Sequence, residues 1–434
     1  MSLDAGSSVR DAGYSRLTTM GSFMSDVSLT TKAGTVEGTC DPRFSAVLDA
    51  FVTNFEARGE VGASCAISIE GKPLVDIWGG KREVGGAPWD KDTISCVFSS
   101  TKGAMALTAH MLADRGQLDL DALVTNYWPE FGQNGKENAR VAMALDHSLG
   151  VPHIRAVPKP GAFYDYDYMV DAIAKEVPFW EPGTRNGYHM ISMSWTVGEI
   201  VHRAAKKRMG AYFQDEVAKP LGLDFWIGLP EAQEHRVAPM IQAVPTAEAM
   251  QSRFFQKAMS DPTSPAHVCM RDFLVFNPNS REGRAAEVGA GNGTTNARGL
   301  VGLYAPLANG GTLNGKRLVG KDTLARMSRI AMGTHQDATL VIPTRFALGY
   351  MKSMDNRWLP GTDAASCLLS DSAFGHVGAG GSIGFACPET RMSFGYTMNQ
   401  MGLGLLLNDR GQSLIDAAYK ALGYRSNAGG VWIT

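Results

Sequence analysis

Ser99 and Lys102 stand three residues apart in Ser99-Ser100-Thr101-Lys102, where an apolar-flanked run, Ile94 to Phe98, gives way to a segment of helical character, Gly103 to Arg115. Residues at i and i+3 share one face of a helix, a turn apart, so this spacing sets an amine beside a hydroxyl. The unpaired N–H groups of a helix start favour negative charge at the same place. A free serine hydroxyl is a poor nucleophile. An adjacent base and a site that stabilises an oxyanion make it a good one. Taken alone, the tetrad also describes a capping serine beside a solvated lysine, so its chemistry depends on partners elsewhere in the chain.

Two stretches offer such partners. Trp180-Glu181-Pro182-Gly183 is a turn, and Tyr188-His189 follows it at the start of another helix. A tyrosine held there can point into a cleft, although a packed aromatic has the same signature. The second stretch is Phe374-Gly375-His376-Val377-Gly378-Ala379-Gly380-Gly381-Ser382-Ile383-Gly384. Its glycines let a strand backbone come close to a ligand and leave N–H groups free to face it, as an oxyanion hole requires. A bulged strand or a loop is the plainer reading.

The elements that must position these residues read as follows. From Asp41, apolar residues Phe44, Val47, Leu48, Phe51 and Phe55 recur at helical spacing until Gly59. Ala63 to Ile69 and Leu74 to Trp78 are two strands joined around Glu70-Gly71-Lys72-Pro73. Helical segments dominate from about 101 to 296, among them Met169 to Lys175 and Met190 to Lys207. His110 reads as a packed helix residue. Residues 245 to 296 read as irregular loops lying over a site. Near the C-terminus come a helix around Leu300 to Leu307, strands at Phe346 to Met351, Ser382 to Cys387 and Met392 to Met398, and a last helix from Asp409 to Leu422. The predicted organisation is an α/β (α+β) protein. Residues 1–40 form a loose arm, 41–100 together with 297–434 build an antiparallel sheet lobe flanked by helices, and 101–296 form a mostly helical lobe with lid-like loops. The tetrad falls at the junction, where small-molecule sites tend to sit.

Composition narrows the function. The chain of 434 residues has a formal net charge of -2, with 41 Lys and Arg against 43 Asp and Glu, so neither a nucleic-acid face nor a polybasic membrane patch is expected. No apolar run reaches the roughly 20 residues of a membrane span. The six cysteines are scattered, with no C-x-x-C pair, and predict free thiols in a reducing, cytoplasmic setting; no signal peptide is seen. No histidine spacing predicts a metal site, and no cofactor is expected.

Ser99-x-x-Lys102, then Tyr188, then His376-Val377-Gly378 at the position where many members carry Lys-Thr-Gly, resembles the serine β-lactamase and penicillin-binding-protein superfamily. The arrangement is most similar to the family VIII bacterial carboxylesterases, relatives of class C β-lactamases. Leu145-Asp146-His147, Trp180-x-Pro-Gly, Thr295 to Leu300 and Gly378-x-Gly-Gly-Ser382 running into Met398-Asn399 support it, over about residues 41 to 424. The resemblance implies a β-lactamase-like fold with Ser99 as nucleophile and Lys102 and Tyr188 as the proton-transfer pair. It also implies an oxyanion hole from the backbone N–H groups of Ser99 and Ala379, with Met190, His376 and Gly378 facing the substrate. His147, although in a family motif, reads as structural.

The sequence departs from the lactamase pattern at Met190, where class C enzymes have an asparagine, and at His376, where they have a lysine. Both changes weaken recognition of a charged lactam. The expected partner is therefore a small-molecule ester, with weak β-lactam binding, and the expected activity is short-chain ester hydrolysis. A β-lactamase, a peptidase, an acyltransferase and a catalytically inactive binding protein are the alternatives on the same scaffold; oligomeric state is not readable. Gly380-Gly381-Ser382-Ile383-Gly384 also spells the nucleophile elbow of α/β-hydrolases, but no histidine follows His376 and Ser382 leads into a strand, which argues against that role.

Overall fold

The computed structural model describes residues 24–434. The two ends of the chain build one seven-stranded antiparallel sheet. Its order is Ser25–Thr31, Gly34–Cys40, Lys72–Gly80, Gly62–Ile69, Met392–Met398, Ile383–Cys387 and Phe374–Val377. Residues 1–23 of the expected arm lie outside the described residues. The rest of it is not loose: Ser25–Thr31 and Gly34–Cys40 form a hairpin at the sheet edge. Few side chains in this hairpin are buried, among them Val27 and Val36, so it carries almost no apolar alternation to betray a strand.

The two central C-terminal strands explain how helices cover both faces. Gly384 pairs with Gly395 and Phe385 with Phe394. Successive residues point to opposite faces. On the glycine face the helix Ala297–Ala308 lies so close that a methyl group on Gly395 would sit 2.4 Å from the Ala297 carbonyl oxygen. On the other face the stacked rings of Phe385 and Phe394 meet Tyr419 of the last helix, Asp409–Ala421. That helix packs against Ser45–Ala57. The two central glycines thus let one helix dock tightly, and the phenylalanines fill the wider gap to the other.

Between the two halves of the sheet the chain is mainly helical, as expected, including Lys102–Asp114, Tyr166–Lys175 and Met193–Ala205. The expected loops of 245–296 instead contain three helices, Arg253–Ser260, Pro265–Val275 and Arg281–Ala285. Each starts at a serine whose hydroxyl accepts a backbone N–H, the usual N-cap arrangement, which outweighs their short length. The strand expected over Phe346 to Met351 is confined to Thr344–Phe346, with Met351 bridging instead to Gly375. Buried apolar side chains form one connected cluster that includes Val27 and Trp432, and therefore spans the sheet and the helical middle alike.

Candidate active site

The turn carrying Ser99 is pinned from both sides. Val97 N–H donates to the Gly293 carbonyl (2.8 Å), and Gly293 N–H donates to Thr101 Oγ1 (2.8 Å). Phe98, just before Ser99, has a φ of 42°. A non-glycine residue in the left-handed region costs about 1–3 kcal/mol and persists only where its surroundings over-determine it. Here Thr101 Oγ1 donates to the Phe98 carbonyl and Ser100 N–H to the Val97 carbonyl, closing the turn. The helix Lys102–Asp114 then begins at once, and Gly103 lets it pass Tyr304, whose hydroxyl would lie 2.0 Å from a Cβ at that position.

The edge strand Phe374–Val377 is fastened to the same turn. Ser100 Oγ donates to the His376 carbonyl (3.1 Å) and lies 3.2 Å from Ser382 Oγ, which donates to the Val97 carbonyl (2.9 Å). Ser382 is fully buried, and its hydroxyl is engaged in this fastening, as its unfavourable position for a nucleophile implied. Gly378 is a close-approach glycine: a Cβ would lie 2.1 Å from the Val97 carbonyl oxygen. Ser99 and Ala379 are the partly exposed residues in otherwise buried runs, 93–100 and 373–380. Among the described residues neither of their N–H groups is engaged in a backbone hydrogen bond outside regular elements.

Lys102 is fully buried, and its Nζ has three oxygen neighbours: Met190 carbonyl at 2.6 Å, Ala290 carbonyl at 2.9 Å and Ser99 Oγ at 3.1 Å. Burial holds its pKa well below that of a free lysine. Tyr188 is also buried. Its hydroxyl shares a hydrogen bond with Ser99, and Lys102 Nζ lies 4.9 Å from its ring centre. Burial pushes the Tyr188 pKa up and the Asp337 charge adds to that, against the Ser99 hydrogen bond. The structure thus brings Ser99, Lys102 and Tyr188 together from segments far apart in the chain.

The tyrosine is framed by aromatic rings. Phe346 stacks on it with ring centres 5.8 Å apart and planes 10° from parallel, while His147 lies 4.8 Å and His376 6.0 Å away. His376 is buried, with Nδ1 2.7 Å from the Val377 carbonyl, and burial together with the nearby Lys102 charge pushes its pKa down to about 3. A histidine in that state is neutral at pH 7 and supplies no fixed charge. His147 accepts the His189 N–H through Nδ1 (3.1 Å), a structural use.

Three features escaped the sequence. The Ala290 and Met190 carbonyls that hold Lys102 are backbone atoms, which any residue type supplies. The third is Asp337, whose buried carboxylate accepts the Tyr188 N–H. An aspartate opening a turn is an ordinary local signal, and nothing in it points across some 150 residues. Among the described residues no cluster of three or more His, Cys, Asp or Glu side chains is arranged to hold a metal ion.

Residues 48–418 match the family model described as Beta-lactamase. The esterase/beta-lactamase LipL of Mycobacterium tuberculosis is 32% identical over 381 residues, covering 86% of this chain and 85% of that protein. The crystal structure of a family VIII carboxylesterase superposes with a TM-score of 0.76 at 38% identity, covering 89% of this chain and 99% of the other. A penicillin-binding-protein homologue from Caulobacter crescentus gives the same TM-score and the same coverage at 32% identity. The expected resemblance and the expected fold class therefore both hold: the chain belongs to the beta-lactamase family and is a serine hydrolase of that fold.

Proposed function

We propose that the chain is a carboxylesterase that hydrolyses short-chain acyl esters through an acyl-enzyme on Ser99. The observation that carries this reading is the surroundings of Lys102 Nζ. A neutral amine has two N–H bonds and one lone pair. The two carbonyls, at 2.6 and 2.9 Å, take the N–H bonds, which turns the lone pair toward Ser99 Oγ at 3.1 Å. Burial favours the neutral amine and the protonated phenol, the states this geometry needs.

In this reading Lys102 takes the Ser99 proton as Oγ bonds to the acyl carbon. Negative charge on the former carbonyl oxygen is held by the N–H groups of Ser99 and Ala379. The bond to the alcohol oxygen breaks as Tyr188 delivers a proton to it, and Lys102 returns a proton to Tyr188. Water then repeats the sequence on the acyl-enzyme. Lys102 and Tyr188 share these protons as a coupled pair. Gly378, His376 and Met190 border the substrate, and the neutrality of the last two suits an uncharged ester. The buried, unpaired thiols support a reducing, cytoplasmic location.

The relative LipL is named as both an esterase and a β-lactamase, which supports a second, weaker activity on lactams. Initial rates on aryl esters of rising acyl length, beside a chromogenic cephalosporin, test both. Short esters are expected to be the best substrates, with lactam kcat/KM at least about 10²-fold lower, equivalent to about 2.7 kcal/mol of transition-state stabilisation. A serine-reactive phosphonate is expected to label Ser99, and Ser99→Ala to abolish turnover in a folded protein. Labelling of Ser382, or equal efficiency on lactam and butyrate ester, overturns the reading.

A further inference from the structure

Asp337 is fully buried, and its carboxylate is saturated with donors. Tyr188 N–H donates to both oxygens (2.9 and 3.0 Å), Thr339 N–H and Leu340 N–H donate to Oδ1 (2.8 and 2.9 Å), and Thr344 Oγ1 lies 3.1 Å from Oδ2. The two local N–H groups come from the loop that Asp337 itself opens. That loop closes through Asp337 N–H to the Ile342 carbonyl (2.9 Å) and carries Val341 at a φ of 62°. A β-branched residue in that region is a strained one, and the saturated carboxylate is what over-determines the loop.

The same short segment grips the tyrosine turn twice more. Ala338 N–H donates to the Asn186 carbonyl (3.0 Å), and Thr344 Oγ1 lies 3.1 Å from Asn186 Oδ1. Two residues beyond Thr344, Phe346 stacks flat on the Tyr188 ring. The backbone of Tyr188 and the face of its ring are therefore both set by residues 337–346. Tyr188 sits in an irregular stretch, before the helix Met193–Ala205 begins, and its chain neighbours Gly187 and His189 are held by their N–H groups donating to the His147 carbonyl and Nδ1 (3.1 Å each).

We propose that Asp337 is the positioning residue of Tyr188: its carboxylate binds the tyrosine backbone to the 337–346 segment so that the phenol stays on Ser99. The inference rests on the reading of Tyr188 as the proton-transfer partner of Ser99. Displacement of a reacting group by about 1 Å can cost on the order of 10²-fold in rate. Asp337→Asn keeps size and one acceptor oxygen but sets an NH₂ in the place of Oδ2, 3.0 Å from the Tyr188 N, so the Tyr188 N–H loses one of its two acceptors and faces a donor instead.

The test is a double-variant cycle with Tyr188→Phe. Kinetics on an aryl butyrate are expressed per active site, with sites counted by exhaustive labelling with a fluorophosphonate, so that a smaller folded fraction does not enter. Asp337→Asn is expected to lower kcat by about 10- to 10²-fold with KM changed less than about three-fold. In the Tyr188→Phe background it is expected to change kcat by less than about two-fold, because its effect passes through the missing hydroxyl. Losses that multiply in the double variant, or a kcat for Asp337→Asn within two-fold of wild type, overturn the proposal. Near-normal kcat in Tyr188→Phe alone removes instead the reading beneath it. If Asp337→Asn yields no titratable sites, Thr344→Val, which withdraws one hydroxyl from the carboxylate, is read in its place. A loss of kcat of about three-fold or more that vanishes beside Tyr188→Phe supports the proposal, and wild-type kcat overturns it.

Discussion

The hydrogen-bond neighbours of Lys102 Nζ are two carbonyls and one hydroxyl, and this separates two roles that a lysine beside a serine can have. As a fixed cation it would bond all three oxygens and orient Ser99 electrostatically. As a neutral amine it gives two N–H bonds to Met190 and Ala290 and keeps a lone pair for Ser99. Arginine distinguishes them, because its guanidinium stays charged at every accessible pH. Lys102→Arg is expected to lower kcat by about 10²–10⁴-fold, the usual contribution of a general base. A variant retaining a tenth or more of wild-type kcat at pH 7–9 would show that the charge, and not the lone pair, serves Ser99. The residues that the structure brings together were legible in the sequence: Ser99 and Lys102 by their one-turn spacing, Tyr188 and His376 by resemblance. The carbonyl cradle was not. Backbone oxygens carry no residue signature, and Ala290 reaches Lys102 only because the helical middle of the chain folds back on the Ser99 turn.

At the scale of elements, the strands and helices with strong periodicity were legible and the weakly patterned ones were not. Gly62–Ile69 and Lys72–Gly80 announce themselves by buried β-branched residues around a glycine turn. The edge hairpin 25–40 has one partner strand to satisfy and much solvent to face, so its sequence is nearly all small and polar. Helices Arg253–Ser260 and Pro265–Val275 were missed because serine caps, glycine and asparagine in that region read equally as loop. Glycine has opposite meanings in different elements. Gly395 has an ordinary strand conformation and is needed because the helix Ala297–Ala308 leaves no room for a side chain, with Leu300 Cβ 2.9 Å from the missing methyl. Gly429 has open space around it. Gly395→Ala is expected to destabilise the fold by about 1–3 kcal/mol through overpacking, and Gly429→Ala to stay within about 0.5 kcal/mol of wild type. Urea unfolding of the two variants checks this. Equal stabilities would mean that the helix can move away from the sheet without loss.

Across the whole molecule, burial fixes charge states as well as packing. His110, His189 and His376 are held down to about 4, 3 and 3, in each case mainly by desolvation. Between the ordinary histidine value, about 6.5, and the folded value, the unfolded chain binds a proton that the native state refuses. The stabilisation is therefore complete above pH 6.5 and is lost as the pH falls toward the folded value. Glu60 and Asp337 act in the opposite sense. Burial raises their carboxyls, so the native state takes up protons first and acidification through that range favours it. The overall acid profile sums opposing contributions, and a single histidine is read cleanly only against its own variant. His110 suits this, because it lies on the helix that starts at Lys102 but away from Ser99, with Nε2 2.9 Å from the Leu348 carbonyl and its ring on Tyr350. Glutamine there can still donate to Leu348 and does not titrate. From the two pKa values, wild type is expected to lose about 2 kcal/mol more than His110→Gln between pH 7 and pH 5. Urea unfolding of both proteins at the two pH values measures it. The gap between them at pH 7 carries the packing cost of the substitution, and only its change with pH carries the proton. A gap that stays constant within about 0.5 kcal/mol would place the His110 pKa near the ordinary value and return its stabilisation to packing alone.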